Sequence, residues 1–195
     1  CATIKNNIEY SHIPVILLTA KVLPEAKVEG FSYGADAYVE KPFTILQLHM
    51  QIRNLLKLRT TFQQHMTSFL PDAKPEEKEE EEETGIQLTP PNQEFIKKMQ
   101  EIIEQQLADE SFSIDTLAAE MNMSRSNFYR KLKALSGMPP NDYLKNCRLN
   151  KAAQLLKEGY RVTEVFERTG FGSSSYFAKC FKAKFGVLPK DYISN

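Results

Sequence analysis

Apolar side chains recur at helical spacing through residues 92–195, with polar and basic side chains between them. The first stripe consists of Phe95, Met99, Ile102, Ile103 and Leu107. After it, Ser113 and Ser124 each precede a shorter amphipathic stretch, and a serine at such a place caps a helix N-terminus. The pattern predicts a long helix and then a helix-turn-helix over about residues 113–137.

The same design occurs a second time along the chain. The motif Gly-x-x-Pro-x-Asp-Tyr occupies residues 137–143 and again residues 186–192, an offset of 49 residues. Between the copies, the spacing of four apolar residues predicts a helix over about 140–157: Leu149, Ala152, Ala153 and Leu156. A second helix-turn-helix is predicted over about 162–186. The repeat therefore indicates an all-α domain with two helix-turn-helix units.

The first 70 residues follow a different pattern. Ile13–Ala20 is a continuous apolar run rich in branched residues, which predicts a strand buried on both faces of a parallel sheet. A helix is predicted from about Pro24 to Tyr33 and ends at Gly34. A second strand at Ala37–Lys41 and a long helix from Thr44 to about Ser68 follow. The order strand, helix, strand, helix is typical of an α/β fold.

The long helix carries a heptad-like seam that Arg59 interrupts. The seam consists of Leu48, Ile52, Leu55, Phe62, Met66 and Phe69. Because it continues beyond the end of a small domain, it predicts a helical extension over residues 61–70 through which two copies of the chain form a homodimer. The alternative is that the first half of the seam only packs against the sheet.

The formal net charge of zero hides a strong asymmetry. Residues 71–91 contain 8 acidic and 2 basic residues with four prolines, which predicts a linker without a core of its own. Residues 124–195 contain 14 basic and 5 acidic residues, the balance expected of a protein that binds nucleic acid. The glutamate run is either a solvated spacer between two domains or an acidic arm that competes with DNA for the basic surface.

The composition argues against an enzyme and against a metal site. Cys1, Cys147 and Cys180 are odd in number and widely spaced, which predicts reduced thiols and a cytoplasmic location. No nucleophile triad, paired-carboxylate or phosphate-loop pattern occurs. We therefore expect no enzyme activity and no cofactor in this chain. No apolar run reaches the roughly 18 residues of a membrane span, so no membrane contact is expected either.

Residues 1–60 resemble the receiver domains of two-component response regulators. The resemblance rests on Thr19 at the end of one predicted strand and on two motifs, Gly34-Ala35-Asp36-Ala37-Tyr38 and Lys41-Pro42-Phe43. It implies the C-terminal half of a flavodoxin-like α/β fold. By the same resemblance, Thr19 and Lys41 would contact an aspartyl phosphate, Tyr38 would change rotamer on phosphorylation, and the Lys41-Pro42 peptide would be cis.

The resemblance to a receiver is incomplete. The phosphoacceptor aspartate and the acidic Mg²⁺ ligands of the family have no counterpart in this sequence, since Asp36 and Glu40 fall outside those positions. The comparison therefore implies that Mg²⁺ binds only to a complete receiver. It also implies that this chain is the C-terminal part of a longer regulator, which could be the cytoplasmic part of a membrane-anchored sensor.

Residues 92–195 resemble the AraC-type DNA-binding domain. The most specific marks are the Gly170-Phe171 turn, Ser175-Tyr176-Phe177 and the segment from Phe185 to Tyr192. The family implies double-stranded DNA as the partner, with one helix of each unit in adjacent segments of the major groove. Together with a receiver, such a domain is the output portion of a hybrid two-component phosphorelay regulator, that is, a sequence-specific transcriptional regulator.

The resemblance to AraC-type domains also assigns the DNA-binding residues. In the first unit they are Arg125, Ser126, Asn127, Tyr129, Arg130 and Lys133. In the second unit they are Ser174, Ser175, Ala178, Lys179 and Lys182. Arg130 could contact guanine bidentately, whereas a lysine is a less directional charge. The alternative function is a dimerising protein-interaction module with a vestigial receiver and no specific DNA target.

Two positions of the second unit depart from the AraC-type pattern. Phe166 stands where the first unit has Ala118 and where the family usually has a small residue, which predicts a shifted helix crossing or an outward ring. Thr169 replaces the usual aliphatic residue. The second departure predicts that the second unit is less stable than the first or docks less tightly.

Overall fold

A computed structural model describes residues 1–20, 32–68 and 90–192 of the chain. The N-terminal unit, residues 1–68, contains α1 (Ala2–Lys5), β1 (Ile16–Thr19), β2 (Ala37–Glu40) and α2 (Ile45–Ser68). The C-terminal unit, from residue 90 onward, contains α3 (Pro90–Gln106), α4 (Ile114–Glu120), α5 (Arg125–Ser136), α6 (Pro140–Lys157), α7 (Val162–Glu167) and α8 (Ser174–Phe185). A short 3₁₀ helix at Pro189–Asp191 follows α8.

The two strands of the N-terminal unit pair in parallel, and Ile16 lies opposite Ala37 at the start of the ladder. The sheet side chains of Ala37 and Val39 are buried. The prediction that the first strand is buried on both faces is wrong, because Leu18 is 43% exposed. Among the described residues the sheet has only two strands.

The helix predicted from Pro24 to Tyr33 falls mainly on residues 21–31, which lie outside the described residues. After that segment, Gly34 adopts a φ of +81°, and a Cβ there would lie 3.1 Å from Cβ of Lys5. Lys5 also forms an ion pair with Asp36 at 2.5 Å and donates a hydrogen bond to the Ile13 carbonyl at 2.9 Å. These contacts attach α1 to the sheet.

One side of α2 packs within the chain, and this side differs in part from the predicted dimer seam. Leu48 and Leu55 are half-buried, whereas Ile52 is 40% exposed. Arg59, the residue that interrupts the seam, lies on the packed side with Gln63. The side chains of Phe62 and Met66, and all of Phe69, lie outside what the structure describes.

Two hydrophobic cores support the C-terminal unit. The first joins α3, α4, α5 and the start of α6, with Phe95, Met99, Leu117 and Phe128 fully buried. The second joins the rest of α6 to α7 and α8 around Val165, Phe177 and Phe181. Helix α6 therefore contributes to both cores. Its 18 residues span about 27 Å at 1.5 Å per residue. They separate two helix pairs, α4 with α5 and α7 with α8.

The predicted linker over residues 71–91 lies almost entirely outside the described residues. At its end, α3 begins at Pro90, two residues before the predicted domain boundary at Asn92. Proline suits the first turn of a helix, where its missing N–H has no intrahelical acceptor. Within the described ranges, no helix is both long and apolar enough to cross a bilayer.

Candidate nucleic-acid interface

Local sequence signals position α5 at the surface. Ser124 caps the helix by accepting a hydrogen bond from the Asn127 N–H at 3.3 Å, and Gly137 ends it with a left-handed φ of +76°. Between α4 and α5, Asn122 has a φ of +54°, which allows the sharp turn. Phe128 and Leu132 point into the core with no exposed surface. The opposite side of α5 therefore faces outward.

The residues predicted to contact DNA lie mainly on this outward side. Five of the six in the first unit are exposed, namely Arg125, Ser126, Tyr129, Arg130 and Lys133. Asn127 is half-buried at the edge of the group. The structure therefore brings these side chains together on one surface, and their contact with DNA stays a prediction.

Arg130 is oriented by its own helix. Its guanidinium donates to Asn127 Oδ1, and its Nε donates to the Ser126 carbonyl at 3.4 Å. Arg125 forms an ion pair with Asp115 at 3.0 Å, but both side chains are largely exposed, so this pair contributes little to stability. The fork of Arg130 is thus held against the helix.

The second helix pair repeats the first with a different core. Ser173 caps α8 through the Tyr176 N–H at 3.4 Å, and Gly186 ends it with a φ of +82°. Of the five predicted contact residues in this unit, Ala178 is half-buried. The other four are exposed, namely Ser174, Ser175, Lys179 and Lys182. An exposed face therefore exists on α8 as on α5.

The two departures in the second unit have structural explanations. The ring of Phe166 is half-buried and lies 6.2 Å from the Phe177 centroid, so it covers the core edge instead of pointing outward. Thr169 is fully buried, and its hydroxyl donates to the Val165 carbonyl at 2.8 Å. The polar atom that Thr169 places in the core is therefore hydrogen-bonded.

The helix pairs contact each other through backbone groups. Arg148 of α6 donates to the carbonyls of Asp109 and Phe112 at 2.8 and 3.0 Å. Gly170 adopts a φ of +64°, and a Cβ at this residue would lie 2.4 Å from the Leu107 carbonyl oxygen. Only glycine allows that approach, so the turn before α8 packs directly on the loop before α4.

Comparisons with known proteins place this geometry in a family. A family model described as a helix-turn-helix domain matches residues 117–195. The HTH-type transcriptional regulator MtrA of Neisseria gonorrhoeae is 36% identical over 85 residues, which are 43% of this chain and 28% of that protein. Residues 117–195 form an AraC-type helix-turn-helix domain. Domains of this type are the DNA-binding parts of transcriptional regulators.

Two further proteins are similar to this chain. Histidine kinase P4 of Formosa agariphila is 33% identical over 193 residues, which are 98% of this chain and 13% of that protein. The solved C-terminal domain of the two-component response regulator YesN from Fusobacterium nucleatum is 30% identical, and the match covers 50% of this chain and 96% of that structure with a TM-score of 0.47. The chain thus spans 13% to 28% of the length of the two full-length relatives.

The AraC-type domain contains a surface cleft that the sequence did not reveal. The cleft, of about 460 Å³, lies between the helix pairs and is lined in part by Tyr176, Lys145 and Asp142. Tyr176 is 53% exposed, and Lys145 pairs with Asp142 at 2.6 Å, which raises the pKa of Lys145.

Outside the AraC-type domain, the structure brings the predicted receiver residues together. Thr19 ends β1, and its carbonyl accepts a 2.7 Å hydrogen bond from the N–H of Lys41, which follows β2. The Lys41-Pro42 peptide is cis, and Tyr38 is half-buried in β2. Over the described ranges, no cluster of histidine, cysteine or acidic side chains could hold a metal ion.

Proposed function

We propose that this chain is a sequence-specific transcriptional regulator that reads two adjacent major-groove segments with α5 and α8. The observation that carries the proposal is the repeated arrangement of an exposed, capped second helix in each unit. In both units, bulky apolar side chains hold the helix from behind and leave hydroxyl and basic side chains outward. Those groups are the ones that hydrogen-bond to base edges and phosphates.

The two recognition helices, α5 and α8, make unequal contributions in this proposal. Arg130 on α5 has the planar fork that pairs with O6 and N7 of guanine. The outward side of α8 carries Lys179 and Lys182 together with short side chains such as Ser175. We infer that α5 supplies most of the base discrimination, while α8 contributes phosphate contacts and register.

The N-terminal unit supports a regulatory context for the DNA-binding domain. Thr19 and Lys41 lie at the carboxyl ends of adjacent parallel strands, the edge where α/β sheets place their sites. We propose that residues 1–60 belong to a receiver and that the chain is the output end of a phosphorelay protein.

Selection from a random duplex pool tests the proposed DNA reading. The full chain should enrich duplexes with two short conserved segments, and a fluorescence anisotropy titration should show tighter binding to an enriched duplex than to its scrambled version. Affinity should fall steeply with salt, because each neutralised phosphate releases counterions. Equal affinity for enriched and scrambled duplexes would favour the protein-interaction alternative.

A further inference from the structure

One flank of the first recognition helix is covered by the N-terminal unit of the same chain. Asn127, Lys131 and Ala134 have the spacing i, i+4 and i+7, so they share one side of α5. This side lies between the core-facing and outward-facing sides. Lys131 is 0% exposed and Ala134 is 8% exposed. A lysine is almost never buried to this degree without partners, so the covering contact is specific.

The partners of Lys131 come from the segment between α1 and β1. Its ammonium donates to the carbonyl of Ile8 and to Ser11 Oγ, the latter at 2.8 Å. Ser11 is itself buried and donates to Asn92 Oδ1 at 2.8 Å. The ammonium also lies 4.7 Å from the Phe95 ring centroid. Burial lowers the pKa of Lys131 to about 8, although these contacts favour its charged form.

Helix α2 covers the same flank further along. Arg59 Nε and Gln63 Nε2 both donate to the Ala134 carbonyl, at 3.2 and 2.9 Å. The N-terminal unit and α5 also border a small cleft of about 60 Å³, whose lining includes His12, Asn127 and Arg130. The N-terminal unit therefore borders the residue that we expect to read guanine.

The second recognition helix shows the same flank uncovered. At the offset of 49 residues, Tyr176, Cys180 and Ala183 correspond to Asn127, Lys131 and Ala134. Tyr176 is 53% exposed, Ala183 is exposed and Cys180 is half-buried. Two copies of one structural unit thus differ at this flank, and the difference is the presence of the N-terminal unit on α5.

The width of the DNA groove gives the covered flank a consequence. A major groove about 12 Å wide admits one α-helix, whose diameter with side chains is about 10–12 Å. A second layer along the flank of α5 leaves no room for the groove wall. We propose that the docked N-terminal unit excludes α5 from the major groove, and that DNA binds fully only after residues 1–13 and α2 leave this flank. This inference rests on the proposed DNA reading.

Variants that undock the N-terminal unit without changing a DNA-reading residue test the inference. Ser11→Phe places a large ring in a buried contact, and Arg59→Ala with Gln63→Ala removes both hydrogen bonds to Ala134. Each should bind the enriched duplex at least fivefold more tightly than the wild type in an anisotropy titration of the full chain. Arg53→Ala is the matched control, because Arg53 is an exposed residue of α2 and its loss removes the same charge.

The direction of the change separates undocking from charge. Loss of a positive charge alone weakens DNA binding, so the Arg53→Ala control should bind equally or more weakly. Linkage adds a reciprocal expectation: bound DNA should accelerate amide hydrogen exchange in residues 1–13. One outcome overturns the inference: the wild type distinguishes the enriched duplex from the scrambled one, yet both undocked variants bind the enriched duplex less than fivefold more tightly than the wild type. If no variant distinguishes enriched from scrambled duplex, the proposed function itself fails.

Discussion

Arg130 carries the most specific expectation at the scale of single residues. Its side chain donates to Asn127 Oδ1 and to the Ser126 carbonyl, so part of its conformation is set before binding. Arg130→Ala should weaken binding to the enriched duplex by roughly 1–3 kcal/mol and remove the preference at one base pair. Arg130→Lys should keep the charge and still lose the preference, because an ammonium cannot pair bidentately.

Anisotropy titrations against single-base variants of the duplex measure this effect. Lys97→Ala is the control, since Lys97 is an exposed basic residue of α3 and lies outside both recognition helices. It should change all duplexes equally. A preference that survives in Arg130→Ala would show that another residue reads that base pair.

Phe166 provides a stability prediction at the same scale. Its half-buried ring contacts Phe177 at the edge of the second core, whereas Phe177 is 1% exposed. Phe166→Ala should therefore reduce the free energy of unfolding by about 1–2 kcal/mol, and Phe177→Ala by about 3–5 kcal/mol. Urea denaturation followed by circular dichroism measures both. Equal losses would mean that Phe166 is a full core residue.

At the scale of elements, three glycines distinguish the cost of a left-handed backbone conformation from the cost of a close steric contact. Gly170 has a positive φ, and a Cβ there would lie 2.4 Å from the Leu107 carbonyl oxygen, while Gly159 has a φ of +91° and open space around it. Gly172 would place a Cβ 2.3 Å from Glu110 Oε1, which is the movable end of a side chain. Alanine at these sites should destabilise in the order Gly170, Gly159, Gly172, with about 1 kcal/mol at Gly159.

Thermal melts of the three alanine variants test this order. Gly159→Ala is the internal control, because it carries the conformational cost without a clash. If Gly170→Ala is no worse than Gly159→Ala, the loop before α4 can move away, and the contact does not fix the two helix pairs relative to each other.

The junction between α5 and the N-terminal unit should respond to pH. Burial lowers the pKa of His12 from 6.5 to about 4, and the charges of Lys131, Arg59 and Arg130 act in the same direction. Between about pH 4 and 6.5 the unfolded chain therefore binds a proton that the folded chain does not. Stability should be fullest above pH 6.5 and should be lost as the pH falls towards 4.

Urea midpoints at several pH values within this window measure the effect. The decline should be smaller in His12→Asn, which cannot take up the proton. Carboxylates that titrate in the same range affect both proteins alike, so the difference between the curves reports His12. Parallel curves would contradict the assignment.

The helices of the C-terminal unit could be predicted because local signals mark their ends. Ser124, Gly137 and Gly186 are caps whose effect depends only on neighbouring backbone. The burial of Lys131 could not be predicted, since its partners Ile8 and Ser11 come from more than a hundred residues away. Arg59 interrupts the apolar seam in the sequence, and its packing could not be predicted either, since its partner Ala134 lies 75 residues further along the chain.

At the scale of the whole molecule, the sequence predicts which residue types lie on the candidate DNA-binding surface. It does not predict whether DNA can reach that surface. The exposed basic side of α5 follows from its amphipathic pattern. Whether DNA can reach that side depends on a contact between two units joined by a segment of low apolar content, and no periodicity encodes such a contact. Sequence therefore indicates what the helices could bind, while the packing of the N-terminal unit determines when.

The spacing of the two recognition helices leads to a last prediction. Helix α6 spans about 27 Å, and contacts at Gly170 and Arg148 join the helix pairs directly. Five base pairs inserted between the two conserved segments of the enriched duplex would rotate one segment by about half a turn, and ten would shift it by about 34 Å on the same face. Because the helix pairs cannot follow either change, both insertions should reduce affinity to that of a duplex with one segment.

Ten base pairs added outside the segments should have no effect. Recovery with the ten-base-pair insertion would mean that the contacts at Gly170 open and that the two units bind DNA independently.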